Sequence, residues 1–184
     1  MVMDTLSGRS KSMTLNTKLA GGVVSLICFL VASRVIPHPP NFTPVLAVAV
    51  FAPYFARDIW VAIALPLVAM VLADLIIGLH SSMLWVYGAV AASVALSYLV
   101  REAGPKLVRI GGMALASSGL FFVVTNFGVW LGNGFYPQTA EGLITCYIAA
   151  LPFFGNTLAG TAIFCGLFYG VMRMAGQHGR LMRA

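Results

Sequence analysis

Apolar positions along the chain gather into six runs separated by short polar breaks: residues 19–35, 45–55, 59–79, 83–100, 110–131 and 147–172. A helix needs about 20 predominantly apolar residues to cross a hydrocarbon core roughly 30 Å thick. Runs three, five and six meet that length directly, and run four nearly does. Run two is too short, since its 11 residues give only about 16 Å of helix at 1.5 Å each. Either its helix begins earlier, near Pro39, or it is a short tilted element shielded by its neighbours. Thr43 followed by Pro44 reads as an N-cap and first helical position, which favours a start there. Non-helical backbone at membrane depth is tolerated only where protein buries it or it lines a cavity. Residues 36–43 are therefore expected over or beside a cavity.

Composition turns this pattern into a class. Of 184 residues, 60% are hydrophobic and 9% are Asp, Glu, Lys or Arg, against about 25% charged in a typical soluble domain. An ordinary soluble enzyme, a disordered chain and a nucleic-acid module are excluded. The expectation is an all-α membrane protein with six transmembrane helices in the lipid bilayer: a tail over 1–18, the membrane domain over 19–172 and a basic tail over 173–184. The net charge of +6 gains meaning from its placement. With the N-terminus in the cytoplasm, Arg9, Lys11, Lys18, Arg57, Arg101, Lys106, Arg109, Arg173, Arg180 and Arg183 fall inside, and only Arg34 falls outside. That sorting predicts both termini in the cytoplasm. A cleaved signal peptide is the alternative for the first run, with Val31-Ala32-Ser33 as a weak cleavage site. It keeps the same sorting with five spans. Met13 is a second candidate start.

The few polar residues left within or beside the runs are the candidates for function, because such groups are costly in a bilayer. Asp74, Asn126 with Thr125, and Asn156 lie within the outer parts of runs three, five and six. Arg34, His38, Asn41, His80, Asn133, Tyr136 and Glu141 lie at outer ends or loops. The inner halves are nearly free of such groups, which predicts an outward-opening pocket. Plainer roles stand beside each. Asp74 can be the structural partner of Arg34, His80 an interfacial loop residue, and Asn126 and Asn156 interhelical hydrogen-bond glue. Trp85, Tyr87, Trp130 and Tyr136 fall at the outer boundary, as an aromatic belt or a lid. Small residues form two stripes, Gly21/Ser25/Cys28/Ala32 and Gly155/Ala159/Ala162/Gly166/Gly170, suited to internal helix packing or, on the first helix, to docking a membrane partner.

Catalytic motifs are missing. The sequence has no HExxH, no GxSxG and no phosphate-cradling Gly-rich loop ending in Lys-Ser/Thr. No nucleophile stands paired with a base, so an enzyme is not expected, nor a cofactor. His38, His80 and Asp74 lack metal-ligand spacing, and no metal site is assigned. Cys28, Cys146 and Cys165 lie in or beside apolar runs without CxxC spacing and read as small apolar residues.

Taken together, several segments form a pattern. They are Arg34-x-x-Pro37-His38-Pro39-Pro40-Asn41-Phe42-Thr43-Pro44, Asp74 with Gly78-x-His80, and Met83-x-x-Val86-Tyr87. Thr125-Asn126-Phe127-Gly128-Val129-Trp130, Tyr136-Pro137 and Pro152-Phe153-Phe154-x-Asn156 complete it. Over roughly 19–172 this resembles a family of bacterial membrane proteins related to the substrate-binding S-components of energy-coupling-factor (ECF) vitamin transporters. The resemblance implies a six-helix bundle that captures a small vitamin-like molecule from the extracytoplasmic side and docks on a transmembrane coupling protein driven by ATPases. Arg34, His38, Asn41, Asp74, His80, Asn126 and Asn156 would line the pocket, with Tyr87, Trp130 and Tyr136 at its rim. Solitary vitamin B12 transporters of similar size use a cysteine near the outer pocket; this chain has His80 at the end of the third run instead. The family's coupling surface uses spaced alanines on the first helix, where this chain has Gly21, Ser25, Cys28 and Ala32. A structural or assembly protein without a small-molecule ligand is the competing expectation.

Overall fold

Our computed structural model describes residues 20–132 and 134–181, the last six as backbone alone. The tail expected over 1–18, Asn133 and the terminal residues from 182, including Arg183, lie outside the described residues. Six helices make up the fold, and no strand occurs among the described residues. They are α1 (Ala20–Val35), α2 (Val45–Phe55), α3 (Ile59–Ile77), α4 (Met83–Val100), α5 (Leu107–Gly132) and α6 (Ala140–Leu181), with a 3-10 turn at Arg101–Ala103. Four of them, α3 to α6, are long and apolar enough to cross a membrane; α1 and α2 are shorter apolar helices.

Packing places α2 at the centre. All its residues from Val45 to Pro53 are buried, and it contacts α3, α4, α5 and α6. Phe51, Val48 and Val50 meet Leu30 of α1, Met70 of α3, Val90 and Val94 of α4, and Ile110 of α5 in the two parts of the core. The outer surface is the inverse of a soluble protein's. Trp60, Leu84, Leu99 and Val108 are each at least 75% exposed, and a water-facing monomer rarely carries so continuous an apolar exterior. The short second run is thus a helix sheathed by its neighbours. Its first helical residue is Val45, with Pro44 at the cap; Thr43 supplies no side-chain cap. Thr43 N instead donates to Asn41 O at 3.1 Å, within a tight turn.

The ends of each helix follow local chemistry. Asp58 caps α3, its Oδ1 accepting from the backbone N–H of Trp60 at 2.8 Å and Val61 at 3.1 Å. Gly78 ends α3 with φ 118°, a conformation open to glycine, while its N–H donates to Asp74 O. Helix α4 keeps the bounds of its apolar run. Helix α5 begins earlier, at Leu107, and α6 begins at Ala140 and continues to Leu181. A helix therefore replaces most of the tail expected from 173. Hydropathy marks where apolar residues stop, whereas hydrogen bonding continues through good helix formers such as Arg173, Met174 and Ala175.

Basic residues gather at the connections opposite the α1 C-terminus. Arg101 Nη1 and the Tyr98 hydroxyl both donate to Arg57 O, at 2.6 and 2.9 Å, and Arg109 Nη1 donates to Ala103 O at 2.6 Å and to Gly104 O. The two small-residue stripes lie on the exterior apart from Gly170, which is half-buried. Gly21, Ser25, Cys28 and Ala32 are exposed, and so are Gly155, Ala159, Ala162 and Gly166. On α6 a close approach to the α1–α2 connection is made instead at Gly160, where a Cβ would stand 3.2 Å from Phe42 Cα and from Thr43 N.

Candidate functional site

The end of the bundle where α1 finishes carries the polar residues. Its organising element is the segment joining α1 to α2, which holds Pro37, Pro39, Pro40 and Pro44 and has a turn at Asn41 with φ 63°. Asn is among the few side chains that tolerate this left-handed region. Gly160 lets the same segment lie against α6. The turn then presents His38, Asn41 and Thr43 to a cavity of about 210 Å³.

All six helices contribute to the wall of that cavity. Arg34 comes from α1, Val45 and Leu46 from α2, Met70 and Ile77 from α3, and Val86 and Val90 from α4. Phe121 comes from α5 and Thr157 and Thr161 from α6, one turn apart. A second cavity of about 190 Å³ adjoins it, sharing Asn41, Val86, Phe121 and Thr157. Its remaining wall is Ser82, Phe122, Thr125, Asn126, Val129, Ala150, Phe153 and Phe154.

Behind the first cavity lies a charge network. Asp74 is 1% exposed, and its carboxylate receives Arg34 Nη2 on Oδ1 and the Tyr87 hydroxyl on Oδ2 at 2.7 Å. His80 Nε2 stands 3.8 Å from the same Oδ2. A buried carboxylate needs such partners, because an isolated charge in a low-dielectric interior is prohibitively costly. Arg34 reaches the cavity wall with its guanidinium neutralised, and its Nε is buried with no hydrogen-bond partner. His38 Nδ1 lies 2.7 Å from Ile36 O. A carbonyl only accepts, so Nδ1 carries the proton and Nε2 is an acceptor in the neutral ring. Among the described residues no three His, Cys, Asp or Glu side chains come together as a metal cluster.

The residues singled out from the sequence therefore fall into three groups. Arg34, His38 and Asn41 line the first cavity and Asn126 the second. Asp74, Tyr87 and His80 form the network behind the wall and are not themselves lining residues. Trp130, Tyr136 and Asn156 line neither cavity. Trp130 Nε1 donates to Pro137 O at 2.9 Å, and Gln138 Nε2 donates to Trp130 O at 2.5 Å, so this indole pins the α5–α6 connection. Asn126 Nδ2 donates to Phe122 O at 2.8 Å and Thr125 Oγ1 to Phe121 O at 2.8 Å, both within α5. These bonds do not tie α5 to another helix. Sequence reasoning missed Thr157 and Thr161. Their i, i+4 spacing on the helix facing Asn41 is the signal, but a threonine in an apolar helix can bond its own turn, as Thr157 does to Phe153 O at 2.9 Å.

The model of a family of unknown function, DUF6580, matches residues 15–182, and the chain belongs to that family. No curated protein and no solved structure matches the chain.

Proposed function

We propose that this DUF6580 member is a membrane-embedded capture protein of the S-component type, taking up a small vitamin-like molecule at the extracytoplasmic side. In this reading the chain crosses a bacterial inner membrane six times, with both termini in the cytoplasm. Helices α3 to α6 have the length for it. The shorter α2 completes a crossing together with the irregular 36–44 segment, which lines the cavity as non-helical backbone at membrane depth must. Arg57, Arg101, Lys106 and Arg109 then lie inside and Arg34 outside, as the positive-inside rule requires.

One observation carries the reading: all six helices and the Asn41 turn converge on one cavity whose wall includes Arg34, His38, Asn41, Thr43, Thr157 and Thr161. Polar groups kept only as glue would bond across helices, as Arg34, Asp74 and Tyr87 do. Thr125, Asn126 and Thr157 instead bond within their own helices and line the cavities. The step is binding followed by helix movement, without covalent chemistry. Whether the movement is driven by a coupling protein with ATPases or by the chain alone is decided by what co-purifies with it.

The test is native mass spectrometry of the protein extracted in mild detergent. A discrete mass excess is expected, and it should vanish in Thr157→Leu, which fills the space between the two cavities, while thermal unfolding shows the variant folded. An excess that survives in the filled variant, or none in the parent protein, sinks the proposal and leaves the assembly-protein reading.

A further inference from the structure

Both cavities carry polar side chains, but Arg34 lines only the first and Phe122, Phe153 and Phe154 only the second, and that difference specifies what fits them. We infer that the ligand is an uncharged amphipathic molecule, a flat ring bearing a hydrogen-bonding carbonyl or amide, with the ring in the second cavity and the polar group at Asn41. This deepens the capture reading and rests on it.

Arg34 is the sole Lys, Arg, Asp or Glu among the lining residues of either cavity, and it is already neutralised by Asp74. An anionic ligand beside Arg34 would place two negative charges on one guanidinium, one of them on a carboxylate that is 1% exposed. A cationic ligand would face Arg34 without a free carboxylate in either wall. At low effective dielectric each mismatch is costly. A neutral carbonyl avoids both, and it can accept a hydrogen bond at the Arg34 wall without adding a charge to the pair.

Phe121, Phe122, Phe153 and Phe154 wall the second cavity, with the rings of Phe122 and Phe154 4.8 Å apart. Aromatic walls favour a flat ring through offset and edge contacts. At the junction of the two cavities stands Asn41, whose amide both donates and accepts. Beyond it Thr157 and Thr161 continue the polar side. The two volumes together reach the lower end of the roughly 300–1,000 Å³ typical of small-molecule sites, so the ligand is small.

Four probes separate these features: benzamide, benzoate, benzylammonium and cyclohexanecarboxamide. Titrated against the protein in nanodiscs by ligand-observed NMR, benzamide should bind at least about tenfold more tightly than benzoate or benzylammonium. Cyclohexanecarboxamide, which keeps the amide and loses the flat ring, should bind several-fold more weakly than benzamide. Asn41→Gly keeps the left-handed backbone and removes the amide, so it should weaken benzamide at least about fivefold while the unfolding temperature holds. Benzoate binding as well as benzamide, indifference to Asn41→Gly, or no binding by any probe overturns the inference. A charged or aliphatic ligand in the native mass spectrum overturns it and leaves the capture reading standing. Absence of both a retained ligand and probe binding removes the two together.

Discussion

Asp74 sets the terms at the scale of single residues. Its carboxylate is held by a guanidinium from α1 and a phenol from α4, so three helices meet at one buried side chain. Asp74→Asn leaves the Arg34 charge without its partner, and breaking a fully buried pair costs roughly 3–5 kcal/mol. Arg34 is 19% exposed, which lowers the cost toward about 2–3 kcal/mol. The double change Arg34→Gln with Asp74→Asn is expected to unfold at a higher temperature than Asp74→Asn alone, as measured in detergent. A double variant no better than the single one would mean that the two charges do not support each other. Tyr87→Phe removes one hydrogen bond and should cost only about 1–2 kcal/mol, measured in the same way. The pairing of Arg34 with Asp74 was legible in the sequence, because a scarce buried charge needs an opposite one. Tyr87 was legible only as an aromatic at the boundary, since its reach to Asp74 depends on how α3 and α4 pack.

Among the elements, the contact between the Asn41 turn and α6 matters most. Gly160 leaves little room for a side chain, since a Cβ there would stand 3.2 Å from backbone atoms of Phe42 and Thr43. Gly160→Ala should push the turn away from α6 and destabilise the fold by about 1–3 kcal/mol, the usual cost of overpacking. Unfolding temperature and ligand retention are expected to fall together, whereas Gly166→Ala on the exposed stripe should change neither. A similar contact joins α4 and α5, where a Cβ on Gly128 would meet Trp85 Cγ at 2.1 Å. Runs of apolar residues located all six helices but not the glycines that seat them. Glycine stripes every three or four residues drew attention to Gly155 and Gly166, yet the packing glycine is Gly160, which lies outside that stripe. Spacing alone does not say which side of a helix faces its neighbour when nearly every side is apolar.

For the molecule as a whole, the decisive property is that its exterior is apolar and, among the described residues, its charged groups are gathered at two ends. Proposed topology follows from that arrangement and is checked by labelling. In a chain whose own cysteines are replaced by alanine, a cysteine at Gln138 is expected to react with a membrane-impermeant maleimide in intact cells. One at Lys106 should react only after the membrane is opened. Reversed accessibility would overturn the orientation. The class and the polar end were readable from composition and charge placement, because a bilayer penalises every misplaced charge. The two cavities were not, since they depend on how α2 is sheathed and on a turn that hydropathy does not encode.

Helix α6 has 42 residues, about 63 Å of continuous helix, well beyond the roughly 40–45 Å of a whole bilayer. Pro152 lies within it, above Thr157, where a proline removes one backbone hydrogen bond and softens the rod. From Pro152 to the last helical turn is about 44 Å, so a tilt of only about 5° there displaces the far end by about 4 Å. The threonines at the cavity and Arg173 ride on one lever arm. A hinge at Pro152 would therefore tie any shift beside the cavity to a larger one at the opposite end of the molecule.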